Sequence, residues 1–168
     1  QARWGARMGD LQGIDYLVGV LQDPFEHFHM GITAENVAAK HGITRQMQDE
    51  LALTSQQRAA RAIAEGRFDS QIVPLELKTR KGPVQFAVDE HVRSDVSAEQ
   101  LAGMKTVFKK DGTVTAGNAS GINDGAAGLV LATGEAVRRL GLKPLARLVA
   151  YAHAGVEPAL MGLGPIPA

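Results

Sequence analysis

The stretch from residue 113 to residue 128 constrains the fold of this chain more than any other part of its sequence. It consists almost entirely of Gly, Ala, Ser, Thr, Asn and Asp, which let one backbone approach another backbone or a ligand closely. Its glycines at positions 117, 121 and 125 lack the spacing of a dinucleotide-binding fingerprint, and it has no Gly-Lys-Ser/Thr ending of a P-loop. The pattern favours close packing and leaves ligand contact as an open alternative.

Helices are predicted before this stretch. An apolar run over residues 14–21 favours a helix over a strand, and two helices are expected over residues 34–41 and 45–65. Their predicted N-caps are Thr33 and Thr44, their stops are Gly42 and Gly66, and Glu35 is expected in a first turn, where it suits the helix dipole. The apolar positions of the longer helix fall near helical spacing and predict one apolar face; they are Met47, Leu51, Thr54, the stem of Arg58, Ala62 and Ile63.

Strands are predicted on both sides of a basic turn. Alternation over residues 72–78 predicts a strand, and Pro74 restricts it to a sheet edge or an extended arm. The turn at residues 79–83 leads into a second predicted strand over residues 84–88. The sequence therefore predicts a hairpin or a protruding loop.

The last part of the chain combines helix and strand signals. Residues 97–100 form a capping box, which predicts a short helix over residues 98–105. Further on, the apolar runs 129–131 and 145–151 predict buried strands on either side of a helix over residues 135–140. The predicted fold class is α/β, with a mainly helical first part packed against a short strand-helix-strand unit.

The histidines give a weak metal signal. His27 and His29 flank Phe28, and an extended stretch would point both imidazoles to one side. Two histidines without a third ligand are more typical of a surface pair than of a zinc site, so no metal is expected. The remaining histidines, His41, His91 and His153, are isolated in the sequence.

Composition excludes several classes of function. The chain has no cysteine, which excludes disulfides, thiolate metal sites and a cysteine nucleophile within it. Eighteen basic and eighteen acidic side chains cancel, so the positive field needed for non-specific nucleic-acid binding is absent. No apolar run approaches the ~20 residues of a membrane-spanning helix, and residues 1–8 do not form a signal peptide. We expect a cytoplasmic protein and, because the chain begins without Met, a fragment of a longer one.

A basic cluster lies on the predicted hairpin turn. It contains Lys78, Arg80 and Lys81, and Arg93 follows shortly after. Such clusters are usually solvated surface, but a basic loop beside an apolar wall also suits an anionic nucleotide on a long apolar tether. Both interpretations remain open on spacing alone.

Three separated motifs resemble one family. HMGITAENVA at residues 29–38, RKG at 80–82 and GTVTAGNASGINDGAA at 112–127 occur in this order in the thiolases, and the resemblance extends to the tail MGLGPIPA at 161–168. The sequence is most similar to the bacterial acetyl-CoA acetyltransferases and β-ketothiolases. The resemblance covers essentially the whole chain.

The resemblance implies that the chain is the central part of a thiolase fold. Residues 1–122 resemble the mainly helical, CoA-binding loop domain, or lid. Residues 123–140 resemble the closing strand and helix of the first thiolase half, and residues 141–168 the opening of the second. The family's nucleophilic cysteine would precede this chain, whereas its Gly-His-Pro histidine, its Asn-Glu-Ala-Phe motif and its second cysteine would follow. No catalytic residue is therefore expected here.

The implied activity is that of an acyl-CoA acyltransferase. Such an enzyme condenses two acyl-CoA molecules or thiolyses a 3-ketoacyl-CoA, in fatty acid metabolism or polyhydroxybutyrate biosynthesis. Acetyl-CoA or another acyl-CoA is the expected partner, coenzyme A is a substrate or product rather than a cofactor, and the family forms homotetramers. A non-catalytic acyl-CoA-binding or assembly module is the alternative.

The resemblance also implies a set of CoA-binding residues. Ser120 would hydrogen-bond the pantetheine amide, and the small side chains of Ala116 and Ala119 would allow close approach. The other implied contacts are His29 and Met30 in the tunnel, Leu21 and Phe108 as apolar walls, and Arg93 near the adenine nucleotide.

Overall fold

Helices are the main regular elements of the part of the chain that the computed structural model describes, which is Gly13 and residues 15–168. The helices are α1 (Tyr16–Val20), α2 (Met30–His41), α3 (Arg45–Ala64), α4 (Ala98–Ala102) and α5 (Gly134–Leu140). Strands β1 (Leu75–Thr79) and β2 (Gly82–Phe86) lie between α3 and α4, and two 3₁₀ turns joined at a kink span Pro158–Leu163. The opening segment 1–8 and Ile14, on which predictions were made, lie outside the described residues.

The first apolar run is helical, as predicted. Helix α1 begins after Asp15, whose carboxylate accepts a hydrogen bond from the Leu17 N–H at 3.0 Å. An Asp at this position satisfies one of the backbone donors that a helix leaves unpaired at its start.

The predicted start of α2 is wrong by one turn. Thr33 lies inside the helix, where its hydroxyl donates to the Met30 carbonyl at 2.6 Å. His29 is the N-cap instead, since its Nδ1 accepts from the Gly31 N–H at 3.0 Å. Glu35 therefore lies in the second turn, too far along the helix to serve its dipole. The predicted stop at Gly42 is confirmed by its φ of 64°.

The bounds of α3 are confirmed, and its predicted apolar face is correct only in part, since Thr54, Ala62 and Ile63 are half-buried. Thr44 caps the helix, and Gly66 follows it with a φ of 67°. However, Met47 and Leu51 are 54% and 71% exposed, whereas Asp49 is 8% exposed. The reason is that α3 faces a polar turn, whose hydrogen-bonding groups require a polar partner on the helix.

The predicted hairpin is confirmed with shifted strands. Strands β1 and β2 pair antiparallel, with Leu75 opposite Phe86 and Thr79 opposite Gly82. β1 begins after Pro74 rather than containing it, because proline has no N–H for the ladder. Gly82 has a φ of 113°, a conformation that only glycine adopts readily in this tight turn.

The predicted capping box is present at the start of α4. The Ser97 hydroxyl accepts from the Gln100 N–H at 3.2 Å, and Gln100 Oε1 accepts from the Ser97 N–H at 2.8 Å. The helix is shorter than predicted, since it ends at Ala102 and Gly103 is its C-cap. Its buried residue is Leu101.

The predicted strand-helix-strand unit is only one-third correct. Helix α5 is present and stops at Gly141, which has a φ of 62°. Residues 129–131 and 145–151 form no strand in the described chain, and the side chains of residues 129–131 are 87–96% exposed. A strand forms only when a neighbour accepts and donates its ladder hydrogen bonds, and no described segment pairs with either run. The division of the chain at residues 122 and 140 stays a prediction.

The core contains as many polar as apolar side chains. The buried apolar residues are Ala38, Leu101, Val114 and Leu160, and the buried polar ones are Thr33, Glu35, Asp49 and Thr115. Helix α2 also packs on the 3₁₀ turns, where Asn36 Nδ2 donates to the Ala159 carbonyl at 3.1 Å. Among the described helices, none combines the length and apolar character that crossing a membrane requires.

Candidate functional site

Residues 113–120, which we call the 113–120 turn, are held at their start by a carboxylate of α2. The Thr113 N–H lies 2.9 Å from both carboxylate oxygens of Glu35, and the Val114 N–H lies 2.8 Å from Oε1. The Thr113 hydroxyl adds a hydrogen bond at 3.0 Å. A side chain at Gly112 would overlap the Glu35 carboxylate, so this glycine lets the backbone reach it.

These contacts determine the charge of Glu35. Burial raises its pKa, but the N–H groups of Val114 and Thr113, the Thr113 hydroxyl and the positive charge of Lys109 lower it more. The pKa of Glu35 therefore lies below the ordinary value of 4.5. Glu35 is ionised at neutral pH and accepts hydrogen bonds from the turn as an anion.

A second carboxylate, on α3, holds the middle of the turn through Asn118. Asn118 Nδ2 donates to Asp49 Oδ1 at 2.9 Å and to the Thr113 carbonyl at 3.0 Å, and Asn118 Oδ1 accepts from the Thr115 N–H at 2.8 Å. One amide side chain thus fixes both the start and the middle of the turn.

Arg45 connects this carboxylate to α4. Arg45 Nε donates to Asp49 Oδ2 at 2.7 Å, and its Nη2 donates to the carbonyls of Leu101 and Met104 at the end of α4. No buried side-chain nitrogen or oxygen in the described ranges lacks a hydrogen-bond partner. The polar network is therefore complete, which makes it rigid.

The outer edge of the turn consists of small exposed side chains. Thr115 is fully buried and accepts from the Ala119 N–H at 3.1 Å, while Ala116, Ala119 and Ser120 are exposed. A side chain at Gly117 would overlap Leu101 and Met104. The close packing favoured by the sequence is thus observed at Gly117, while the outer edge of the turn stays accessible.

The predicted tunnel residues form a second cluster. The rings of His29 and Phe108 stack with centroids 4.6 Å apart and an interplanar angle of 21°. The Met30 N–H donates to the Leu21 carbonyl at 2.8 Å, so Leu21, His29, Met30 and Phe108 lie together. A side chain at Gly31 would overlap the Phe108 ring, which shows why this position is glycine.

A short antiparallel contact joins this cluster to the turn. Thr106 forms a bridge with Thr115, and the Val107 N–H donates to the Val114 carbonyl at 3.1 Å. Phe108 follows directly in the sequence. Seven of the eight predicted site residues therefore lie on two connected structures, the 113–120 turn and the cluster around His29.

Arg93 is the eighth predicted site residue, and it lies on the exposed loop before α4. Its N–H donates to Gln56 Oε1 of α3 at 2.8 Å. The neighbouring His91 ring lies against Gly121, where an added side chain would overlap it. The loop thus passes the end of the 113–120 turn, but no hydrogen bond joins the Arg93 side chain to the other seven predicted residues.

The histidine pair does not lie on an extended stretch. Residues 24–26 form a turn, and His27 has a φ of 58°, in the left-handed region. The His29 ring accepts a hydrogen bond from the Gly31 N–H and stacks on the Phe108 ring. Within residues 15–168 no group of three or more His, Asp or Glu side chains is arranged to hold a metal ion.

Sequence reasoning missed the residues that hold the turn. Glu35, Asp49 and Asn118 had no role in the prediction beyond the helix dipole assigned to Glu35. An Asn within a Gly- and Ala-rich stretch is a turn signal that could have identified Asn118. The two carboxylates carried no such signal, because their partners lie 78 and 69 positions away in the sequence.

Comparison with known proteins identifies relatives of the whole chain. The family model described as "Thiolase, N-terminal domain" matches residues 1–135. The beta-ketothiolase BktB of Cupriavidus necator is 56% identical over 168 residues, which cover 99% of this chain and 43% of that protein.

Solved structures of similar proteins have the same fold. The acetyl-CoA acetyltransferase of Bacillus anthracis matches with a TM-score of 0.87 and 53% identity, over 100% of this chain and 43% of that one. The human mitochondrial 3-ketoacyl-CoA thiolase in complex with CoA matches with a TM-score of 0.82 and 44% identity, over 96% of this chain and 41% of that one. The chain thus spans less than half the length of these relatives.

Proposed function

This chain belongs to the thiolase family, and on that premise we propose that it supplies the coenzyme A-binding lid of an acyl-CoA acyltransferase. The complete protein condenses two acyl-CoA molecules or thiolyses a 3-ketoacyl-CoA. Relatives named as a β-ketothiolase and an acetyl-CoA acetyltransferase support this proposal, as does the CoA bound to the human relative.

The observation that carries the proposal is the exposed edge of the 113–120 turn. Pantetheine is a narrow chain with amide groups, and it needs a surface of small side chains with a hydrogen-bonding group at one point. Ala116 and Ala119 offer the small surface, and the exposed Ser120 hydroxyl offers the hydrogen bond. The His29–Phe108 stack adds an apolar wall, and Arg93 serves the nucleotide end as a cation.

We propose that the reacting groups lie outside this chain, as the family resemblance implies. A cysteine thiolate attacks the thioester carbonyl of one acyl-CoA, and the CoA thiolate leaves and takes up a proton. A base removes a proton from the α-carbon of the second acyl-CoA, and the carbanion attacks the acyl-enzyme and releases the enzyme thiolate. This chain contains no cysteine, so its part is to aim the two thioesters at that nucleophile.

The test is a steady-state assay of the full-length protein with acetyl-CoA. Replacing Ser120 by leucine should block the pantetheine path and raise the KM for acetyl-CoA by at least about tenfold, with a smaller change in kcat. Ser70→Leu, at an exposed serine after α3, is the matched control and should leave KM unchanged. An unchanged KM in Ser120→Leu contradicts the assigned role, and a wild-type protein that neither reacts with nor binds acyl-CoA contradicts the proposed function.

The same preparation tests the assembly. We propose a homotetramer, as the family resemblance implies. Light scattering of the full-length protein should give four times the mass of one chain, and a monomer at assay concentration contradicts it.

A further inference from the structure

The hydrogen bond between Asp49 of α3 and Asn118, which we call the bridge, reaches the 113–120 turn two residues before Ser120. Glu35 holds only Thr113 and Val114, at the beginning. Ser120 follows Asn118 by two positions, and between them the Ala119 N–H is bonded to the Thr115 carbonyl. The orientation of the Ser120 end therefore depends on the orientation of Asn118.

Asn118 has one arrangement that satisfies all its partners. Its Oδ1 accepts from within the turn, and its Nδ2 donates both to the turn and to Asp49. Exchanging the amide oxygen and nitrogen would place Nδ2 against the Thr115 N–H and Oδ1 against the Asp49 carboxylate. The negative charge of Asp49 therefore selects the amide orientation that closes the turn.

Asp49 is itself unable to move away. It is 8% exposed and pairs with Arg45, whose guanidinium is fixed by two carbonyls at the end of α4. The position of the carboxylate is thus set by two helices and not by the turn. Rigid support from packed helices is what accurate placement of a binding group requires.

We propose that Asp49 and Asn118 are positioning residues that orient the Ser120 edge toward the pantetheine chain. The inference rests on the proposed function and deepens it, because it assigns the accuracy of CoA binding to a helix-borne carboxylate. Neither residue is proposed to touch the substrate. Their loss displaces the Ser120 edge, so binding weakens while the reacting groups are left intact.

The experiment compares Asp49→Asn, Asn118→Asp and the double variant in the full-length protein. Asp49→Asn replaces one acceptor of the carboxylate by a donor, and Asn118→Asp sets a carboxylate oxygen against both Asp49 and the Thr113 carbonyl. In each single variant KM for acetyl-CoA should rise on the order of tenfold or more, with kcat changed by less than about threefold. In the double variant an amide at position 49 donates to a carboxylate at 118, which still accepts from the Thr115 N–H, and only the Thr113 carbonyl is left without its donor. KM should therefore recover part of the loss.

The control is Glu50→Gln, an exposed carboxylate next to Asp49 on the same helix, which should leave KM and kcat unchanged. Active-site titration corrects every rate for the folded fraction, so a purely structural role would lower the titrated fraction and leave KM unchanged.

If Asn118→Asp does not fold, the milder variant Asp49→Asn alone tests the inference. An unchanged KM in a folded single variant, or a double variant no better than the worse single, overturns the inference. Ser120→Leu in the same series separates this result from a failure of the proposed function.

Discussion

Glu35 lies in the protein interior with its charge balanced chiefly by backbone N–H groups. It is 6% exposed, and its oxygens accept four hydrogen bonds from Thr113 and Val114. Asp49 is buried in the same region but faces a guanidinium. The two carboxylates thus use different donors to hold one turn, and the donors around Glu35 lower its pKa.

This lowered pKa predicts how stability depends on pH. In the unfolded chain Glu35 takes up a proton near its ordinary pKa of 4.5, whereas in the folded protein it does so only at lower pH. The stabilisation is therefore complete above about pH 4.5 and is lost as the pH falls through the folded-state pKa. We expect Glu35→Gln to lower the free energy of unfolding at pH 7 by roughly 1–3 kcal/mol and to flatten its decline below pH 4.5.

Urea unfolding of the full-length protein between pH 7 and the acid limit measures both effects. Glu50→Gln, which removes an exposed carboxylate, should leave the curve parallel to that of the wild type. A Glu35→Gln curve that is equally stable at pH 7 and equally steep in acid would show that Glu35 does not hold the turn.

Local signals in the sequence identified residues whose partners are close in the chain. The capping box of Ser97 and Gln100 joins residues three positions apart, and Gly42, Gly66 and Gly141 have the positive φ that stops a helix. Residues with distant partners were not identified. The role of Glu35 depends on Thr113, and no pattern along a helix shows where such a partner will be.

At the scale of elements, the start of α2 illustrates how two segments fit together. The first turn of the helix presents Gly31, and the Phe108 ring lies where a side chain would be. The same ring stacks on His29, the N-cap residue. The absence of one side chain on α2 therefore places an aromatic wall of the candidate site.

The close contact between Gly31 and the Phe108 ring predicts the effect of adding one methyl group at position 31. Gly31→Ala should push the Phe108 ring away and destabilise the full-length protein by about 1–3 kcal/mol, as overpacking typically does. Gly134→Ala is the matched control, since Gly134 begins α5 with only the end of the Arg138 side chain nearby. There alanine should be neutral or stabilising by up to about 1 kcal/mol. Thermal unfolding of both variants checks the difference, and equal melting temperatures would contradict the overlap.

Elements whose hydrogen bonds are satisfied within or next to their own segment were predicted better than strands that need a distant partner. Helices satisfy their hydrogen bonds internally, and the predicted helix α5 is present. Hairpin strands β1 and β2 pair through a tight turn, so their pairing was also readable from local sequence. Residues 129–131 and 145–151 have the composition of strands, but composition does not supply the neighbour that pairs with them.

At the scale of the whole molecule, these two runs leave a large apolar surface uncovered. Leu129, Val130, Leu145, Val149 and Tyr151 are all at least 80% exposed. A soluble monomer rarely exposes so much contiguous apolar chain, and runs without strand partners are ready to pair with other chains. Among the described residues, the polar groups of the 113–120 turn are hydrogen-bonded to the helices, whereas the apolar side chains of the two runs are exposed.

We therefore expect the isolated 168-residue chain to associate with itself. Light scattering coupled to size-exclusion chromatography should show assemblies much larger than 17.8 kDa. The double change Val130→Glu and Val149→Lys should reduce their size, because charge opposes edge pairing. Val73→Glu, at an exposed position before β1, is the control and should have little effect. A wild-type chain that elutes as a monomer would show that the two runs do not cause self-association.

The hydrogen bonds of Thr113 and Val114 also have a consequence for the amide protons themselves. Their N–H groups are bonded to one carboxylate rather than to a helix or sheet ladder, so a single rotation of the Glu35 side chain breaks the hydrogen bonds of both. Deuterium uptake at these two amides therefore reports the opening of the turn separately from global unfolding. If coenzyme A slows this uptake, the exchange rate at the two amides measures how long the turn stays closed in the bound state.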